Sequence, residues 1–116
     1  MAISLLVTHP DTGREDELVP VATQDVFNRY WLPAARQLDL KWVPSFQPSL
    51  DLEHEELATV LPDLLEELGQ LRRLMAVEPP SYVPREQARA IAARIDGLSA
   101  ALERALRDPD AEIDIG

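Results

Sequence analysis

Carboxylate side chains are the most concentrated chemical feature of this sequence. One stretch of the chain has seven acidic residues and no lysine or arginine: Asp51, Glu53, Glu55, Glu56, Asp63, Glu66 and Glu67. Over all 116 residues, 21 acidic residues oppose 11 basic ones, so the net charge is −10. Opposite surface potentials attract, so this charge favours a basic protein partner. It argues against binding to nucleic acid, and against an anionic membrane surface, because both carry negative charge.

Side chains suited to catalysis or metal binding are few. The two histidines are His9, before a proline in a turn, and His54, at the start of an acidic helix; both are predicted to be exposed and uninvolved. Position 58, one helical turn after His54, is alanine, so a helical pair of metal ligands is not formed. The sequence has no cysteine, no nucleophile elbow and no phosphate-binding glycine loop. We therefore predict no catalytic, metal-binding or cofactor-binding residues, and a protein that is not an enzyme.

The acidic C-terminal segment does not match a calcium-binding loop. Asp108, Asp110, Glu112 and Asp114 alternate, but the sixth position from Asp108 is Ile113 instead of the required glycine. Alternation of acidic and β-branched residues predicts an edge strand here, and a frayed acidic tail fits the pattern equally well.

A long helix is predicted to carry the acidic run, from Asp51 to Val77. Its apolar residues recur at steps of four and three, which is typical of one buried helix face: Leu57, Leu61, Leu64, Leu68, Leu71 and Met75. Asp51 is the predicted N-cap. The face away from the leucines is predicted to expose Glu56, Asp63, Glu66 and Glu67. Pro62 lies about two turns inside, so the helix either bends there or begins later.

A second helix of similar spacing follows a proline-rich linker at 78–84 and runs from Ala88 to Leu106. Two long amphipathic helices joined by so short a linker are expected to pack as an antiparallel hairpin. Gly69 and Gly97 lie at comparable heights in that hairpin. They either allow the helices to approach closely or are simply two exposed glycines.

The first fifty residues predict a sheet with one helix. Ile3 to Thr8 is predicted to form a strand that is central or covered on both faces. Residues 18–21 are predicted to form a second strand, which Pro20 confines to an edge of the sheet. Thr23 is the predicted N-cap of a helix that Pro33 either kinks or breaks near Leu32, and 40–46 is predicted as a further strand. The predicted fold is α+β: a small, mostly antiparallel sheet of three to four strands, covered by a helix and the helical hairpin. We expect one domain, residues 1–116, made of a strand–helix–strand part (1–50), the hairpin (51–107) and the tail (108–116).

Aromatic residues could supply interface anchors beside the acidic helix. Tyr30 and Trp31 are adjacent on a helix and point about 100° apart, so one of them can face the core and the other the surface. Together with the acidic helix, this gives the predicted partner-binding residues: Glu53, Glu55, Glu56, Asp63, Glu66, Glu67, Tyr30 and Trp31.

These patterns predict a non-catalytic acidic binding or inhibitory protein. The most concrete form is a bacterial immunity-type protein, which neutralises a basic toxin or enzyme by occluding its anionic-substrate site. The alternative is a structural or regulatory protein that dimerises through its hairpin, with Leu65 and Leu74 as excess apolar residues. The absence of cysteine, and an N-terminal run without a basic segment, favour a cytoplasmic location.

Overall fold

The computed structural model describes residues 2–10 and 12–116, and its centre is a four-stranded antiparallel sheet in the order β2-β1-β4-β3. The strands are β1 (Ala2–Thr8), β2 (Glu17–Thr23), β3 (Leu50–Leu52) and β4 (Glu112–Ile115). β1 is central, as predicted, and β2 forms an edge that tolerates Pro20, which has no N–H to donate. Asp11, within the predicted turn after β1, lies outside the described residues.

One face of the sheet is packed and the other is open. Along β1, Ile3, Leu5 and Val7 are buried, whereas the residues between them are only partly buried. In β4, Ile113 and Ile115 are buried and Asp114 is exposed. This alternation of period two is that of a sheet with helices on a single side, and it confirms the α+β architecture.

The first helical segment runs without a gap from Gln24 to Gln37, but it departs from regular α-helix just before Pro33, where a kink or a break was predicted. It consists of α1 (Gln24–Val26), a π-helical turn (Phe27–Trp31) and α2 (Leu32–Gln37). The hydroxyl of Thr23 accepts a hydrogen bond from the Val26 N–H at 3.1 Å and caps the start. Pro33 cannot donate to the preceding turn, and the turn before it widens, with the Leu32 N–H donating to the Phe27 carbonyl.

The predicted strand at 40–46 is wrong. Asp39, with a φ of 56°, ends α2 in the left-handed conformation, and the Leu40 N–H returns to the Ala35 carbonyl at 2.9 Å. The chain then forms a loop and a short 3₁₀ helix, Val43–Phe46. Pro44 supplies no strand hydrogen bond but suits the first turn of such a helix.

Two long helices, α3 (His54–Val77) and α4 (Arg85–Leu106), form the predicted hairpin. The Arg72 guanidinium of α3 donates to both carboxylate oxygens of Asp96 in α4, at 2.5 and 3.2 Å. Gly69 and Gly97 are exposed, and an added Cβ would meet no atom within 4 Å, so neither glycine is required for close packing.

The start of α3 corrects the predicted boundary. Asp51 is not the N-cap, because residues 50–52 form β3; Glu53 takes that position, and its N–H donates to the Glu56 carboxylate at 3.2 Å. The helix then continues through Pro62 without interruption. The C-terminal segment forms a strand, which is one of the two predicted alternatives, but β4 lies between β1 and β3 and is not an edge.

Candidate functional site

Exposed carboxylates line the first half of α3. Glu53, Glu55, Glu56, Asp63 and Glu66 are exposed, as predicted, and we call this set the acidic strip. Within residues 2–10 and 12–116, no lysine or arginine forms an ion pair with any of them. Ion pairs occur elsewhere in the molecule, for example between Arg104 of α4 and Glu17 of β2. The strip is therefore negative charge without an ion-pair partner in the part of the chain that the structure describes.

Glu67 is not part of the exposed strip, contrary to the prediction. Its residue is only 9% exposed, because the loop that follows α2 crosses α3 at this position. The two carboxylate oxygens accept hydrogen bonds of 2.9–3.0 Å from the backbone N–H groups of Lys41, Trp42 and Val43. The helical spacing that places Glu67 with Asp63 and Glu66 is correct, but the loop covers it.

This contact gives Glu67 a structural role. The N–H groups of Trp42 and Val43 lie at the start of the 3₁₀ helix, where they have no partner within the helix. A carboxylate that accepts several backbone N–H bonds forms charge-assisted hydrogen bonds, which are stronger than neutral ones. Glu67 therefore fixes residues 41–43 against α3, and we call this arrangement the Glu67 anchor.

The aromatic residues also differ from the predicted anchor pair. Trp31 is 1% exposed and stacks on Phe27 with ring centroids 6.0 Å apart, so it belongs to the core. Tyr30 is half-buried against that core. The half-buried Trp42 lies beside Asp63 and Glu66 instead, in the loop held by the Glu67 anchor. From the sequence, Trp42 groups with the other aromatic residues, most of which are expected in the core, and its position beside the acidic helix depends on the loop after α2.

Apart from the acidic strip and Glu67, a pair of carboxylates faces the open side of the sheet. Asp51 of β3 and Asp114 of β4 are direct cross-strand partners, and both are exposed. A hydrogen bond from the neutral Asp114 carboxyl to Asp51, with burial and the charge of Asp51, raises the pKa of Asp114 to about 6. The Ser49 hydroxyl also donates to Asp51, at 3.4 Å. This pair holds a proton more tightly than an isolated carboxylate does.

Asp108, before β4, has cationic and hydrogen-bonding neighbours instead. The Asp110 N–H, the Arg14 guanidinium and the His9 ring lower the pKa of Asp108. His9 lies 3.0 Å from the Asp108 carboxylate, with only 11% of its side chain exposed, so the prediction of an exposed and uninvolved His9 is wrong. His54 is exposed.

Residues 2–10 and 12–116 contain no group of three or more His, Asp or Glu side chains placed to hold a metal ion. In the same ranges, no helix combines the length and the apolar character needed to cross a membrane. Comparison with family models, with curated protein sequences and with solved structures gives no match to this chain.

Proposed function

We propose that this protein is a non-catalytic acidic inhibitor, of the bacterial immunity type, that binds a basic toxin or enzyme in the cytoplasm. The acidic strip covers lysine and arginine side chains of the partner's anionic-substrate site and so excludes the substrate. The observation that carries this proposal is the unneutralised charge of the strip, because self-repulsion among these carboxylates is relieved when a cationic surface binds.

The rigidity of the strip supports the same function. Four of its five residues lie on a helix of 24 residues whose opposite face is buried in the core, and Glu53 is the N-cap of that helix. The Glu67 anchor attaches a loop beside it. A preformed surface loses little conformational freedom on binding, so more of the electrostatic attraction remains as affinity.

The dimerisation alternative remains a prediction with less support. Leu65 and Leu74, the residues expected to be in excess, are partly buried and pack against the core. They therefore do not form a free leucine stripe on the hairpin.

A pull-down with matched charge variants tests the proposal. The strip variant carries Glu55→Lys, Asp63→Lys and Glu66→Lys. The control carries Glu15→Lys, Glu78→Lys and Glu103→Lys, three exposed residues that change the net charge equally. Glu53 and Glu56 stay unchanged because they form the start of α3.

We expect wild type and control to capture the same basic enzyme from a bacterial host lysate at low salt. Capture should weaken at high salt, since the Debye length falls from about 10 Å at 0.1 M to about 3 Å at 1 M. The strip variant should bind that enzyme at least a hundredfold more weakly, roughly the effect of losing several close charge pairs. Wild type should inhibit the purified enzyme stoichiometrically. Equal capture by the strip variant, or a captured enzyme that stays active, would overturn the proposal.

A further inference from the structure

A groove lies between the acidic strip and the loop that the Glu67 anchor holds. Its volume is about 290 Å³, slightly below the roughly 300–1,000 Å³ of small-ligand pockets. Three exposed acidic residues, Asp39, Asp63 and Glu66, line it together with the half-buried residue Trp42. This size suits one long side chain, and the lining combines negative charge with an aromatic surface.

Two features fix the aromatic side of this groove. Both oxygens of the Glu67 carboxylate accept a hydrogen bond from the backbone N–H of Trp42, at 2.9 and 3.0 Å. On the other side of the loop, Asp39 in the left-handed conformation closes α2 and directs the chain across α3. The backbone on which the indole sits is therefore set before any partner arrives.

The groove already contains a cation from its own chain. The ammonium of Lys41 lies 4.6 Å from the centre of the Trp42 ring, within the distance of a cation–π interaction. Lys41 is exposed, and among the ionisable groups lining the groove it is the one cation opposite four carboxylates, of which Glu67 is occupied by backbone N–H groups. The remaining three leave the groove with an excess of negative charge.

We infer that this groove binds an arginine side chain of the basic partner, and we call it the arginine seat. The guanidinium displaces the Lys41 ammonium from the Trp42 ring. An arginine suits the lining better than a lysine, because its planar guanidinium stacks on an indole and donates to carboxylates at the same time. The inference rests on the proposed function and adds to it the position of one anchoring contact. Trp42 then acts as the aromatic hot spot next to the strip.

Titration with a hexa-arginine peptide, followed by NMR, tests the seat without the natural partner. The chain has two tryptophans, so the buried Trp31 indole N–H signal is an internal reference for that of Trp42. We expect the Trp42 signal, and the backbone amides of residues 39–42, 63 and 66, to shift with a common saturation curve. Hexa-glutamate should cause no shift.

Three variants sharpen this measurement. Trp42→Leu keeps an apolar side chain and removes the ring, so peptide affinity should fall about three- to tenfold. Lys41→Met removes the internal competitor and should raise affinity about two- to fivefold. Tyr82→Leu alters an aromatic that is 45% exposed in the helical hairpin's linker and should leave affinity unchanged. Circular dichroism establishes that each variant is folded, and Trp42→Phe gives a second readout if Trp42→Leu is not.

The outcomes separate this inference from the proposed function. If the peptide shifts the amides of the acidic strip but not the Trp42 indole, or if removing the ring changes nothing, the arginine seat is wrong and the acidic face stands. If Lys41→Met weakens binding, the ammonium is part of the site and displacement is wrong. If no amide of α3 shifts in wild type at low salt, both fail.

Discussion

The Glu67 anchor and the Asp51–Asp114 pair place carboxylates in opposite surroundings. Glu67 is buried, and each of its oxygens accepts backbone N–H groups. Asp51 and Asp114 are exposed, yet they lie directly opposite each other on neighbouring strands and their carboxyl groups interact. Burial alone would predict that the first arrangement costs stability and the second does not. The hydrogen-bonding partners reverse this expectation. In the Glu67 anchor the cost of desolvation is offset because every carboxylate oxygen is hydrogen-bonded, whereas in the Asp51–Asp114 pair two like charges repel even near water.

The largest expected effect follows from removing Glu67. Glu67→Ala leaves three backbone N–H groups without an acceptor under the loop, so the free energy of unfolding should fall by about 3 kcal/mol or more. Glu67→Gln keeps one acceptor oxygen and should cost about half as much. Urea unfolding measures both variants. Glu66→Ala, at the exposed neighbouring position, is the control and should stay within about 0.5 kcal/mol of wild type. A Glu67→Ala protein as stable as this control would contradict the anchor.

At the sheet, a substitution in the Asp51–Asp114 pair is expected to raise the free energy of unfolding, by a smaller amount than the loss at Glu67. The pKa of Asp114 is about 6 in the folded protein and near 3.8 unfolded. Between these two pH values the folded state therefore binds more protons than the unfolded state. The stability that the protonated pair gives to the folded state is complete below pH 4 and is lost as the pH rises through 6. Asp51→Asn removes the repulsion at high pH. It should stabilise the protein by no more than about 1 kcal/mol at pH 7, given solvent screening, and should not stabilise it at pH 4.

Thermal unfolding of wild type and Asp51→Asn between pH 4 and pH 8 measures this difference. Glu112→Gln, a change of the same charge in the neighbouring strand β4, controls for net charge. If Asp51→Asn and Glu112→Gln give the same pH dependence, the two carboxylates do not share a proton.

The smallest effect is expected at Asp108, with the reverse pH dependence. Its pKa is lowered by the Asp110 N–H, Arg14 and His9, so its contribution is present above the unfolded value and is lost as the pH falls. Asp108→Asn should therefore destabilise the protein at pH 7 and have progressively less effect toward pH 3. Asp110→Asn, two residues away, is the matched control. A destabilisation by Asp108→Asn that did not change with pH would point to packing instead of charge.

Periodic features of the fold could be predicted from the sequence, but the anchor could not. Leucines at steps of three and four define α3, and Pro33 marks the irregular turn in the first helical segment, since both signals are local. Whether Glu67 is exposed depends on the loop after α2, which crosses the helix 24 to 26 residues away in sequence. Helical periodicity identifies a face but does not reveal what covers it.

The boundary at β3 fails for a related reason. Leu50 to Leu52 has too few residues for a clear alternation, and acidic Asp51 favours the N-cap reading. Its strand conformation depends on hydrogen bonds to β4, far along the chain. The same long-range pairing creates the Asp51–Asp114 contact, which cannot be seen until the strand order is known.

The position of β4 also determines how the sheet can form during synthesis. The β1–β2 hairpin and the α3–α4 pair join neighbouring segments and can form while the chain emerges from the ribosome. β3 cannot pair until β4 has been synthesised, because Leu52 lies opposite Ile113, sixty-one residues later in the chain. Until β4 enters between β1 and β3, the apolar side chains of Leu50 and Leu52 have no strand beside them. Closure of the sheet is therefore a long-range step, and until it occurs the facing edges of β1 and β3 are both open to pairing with other chains.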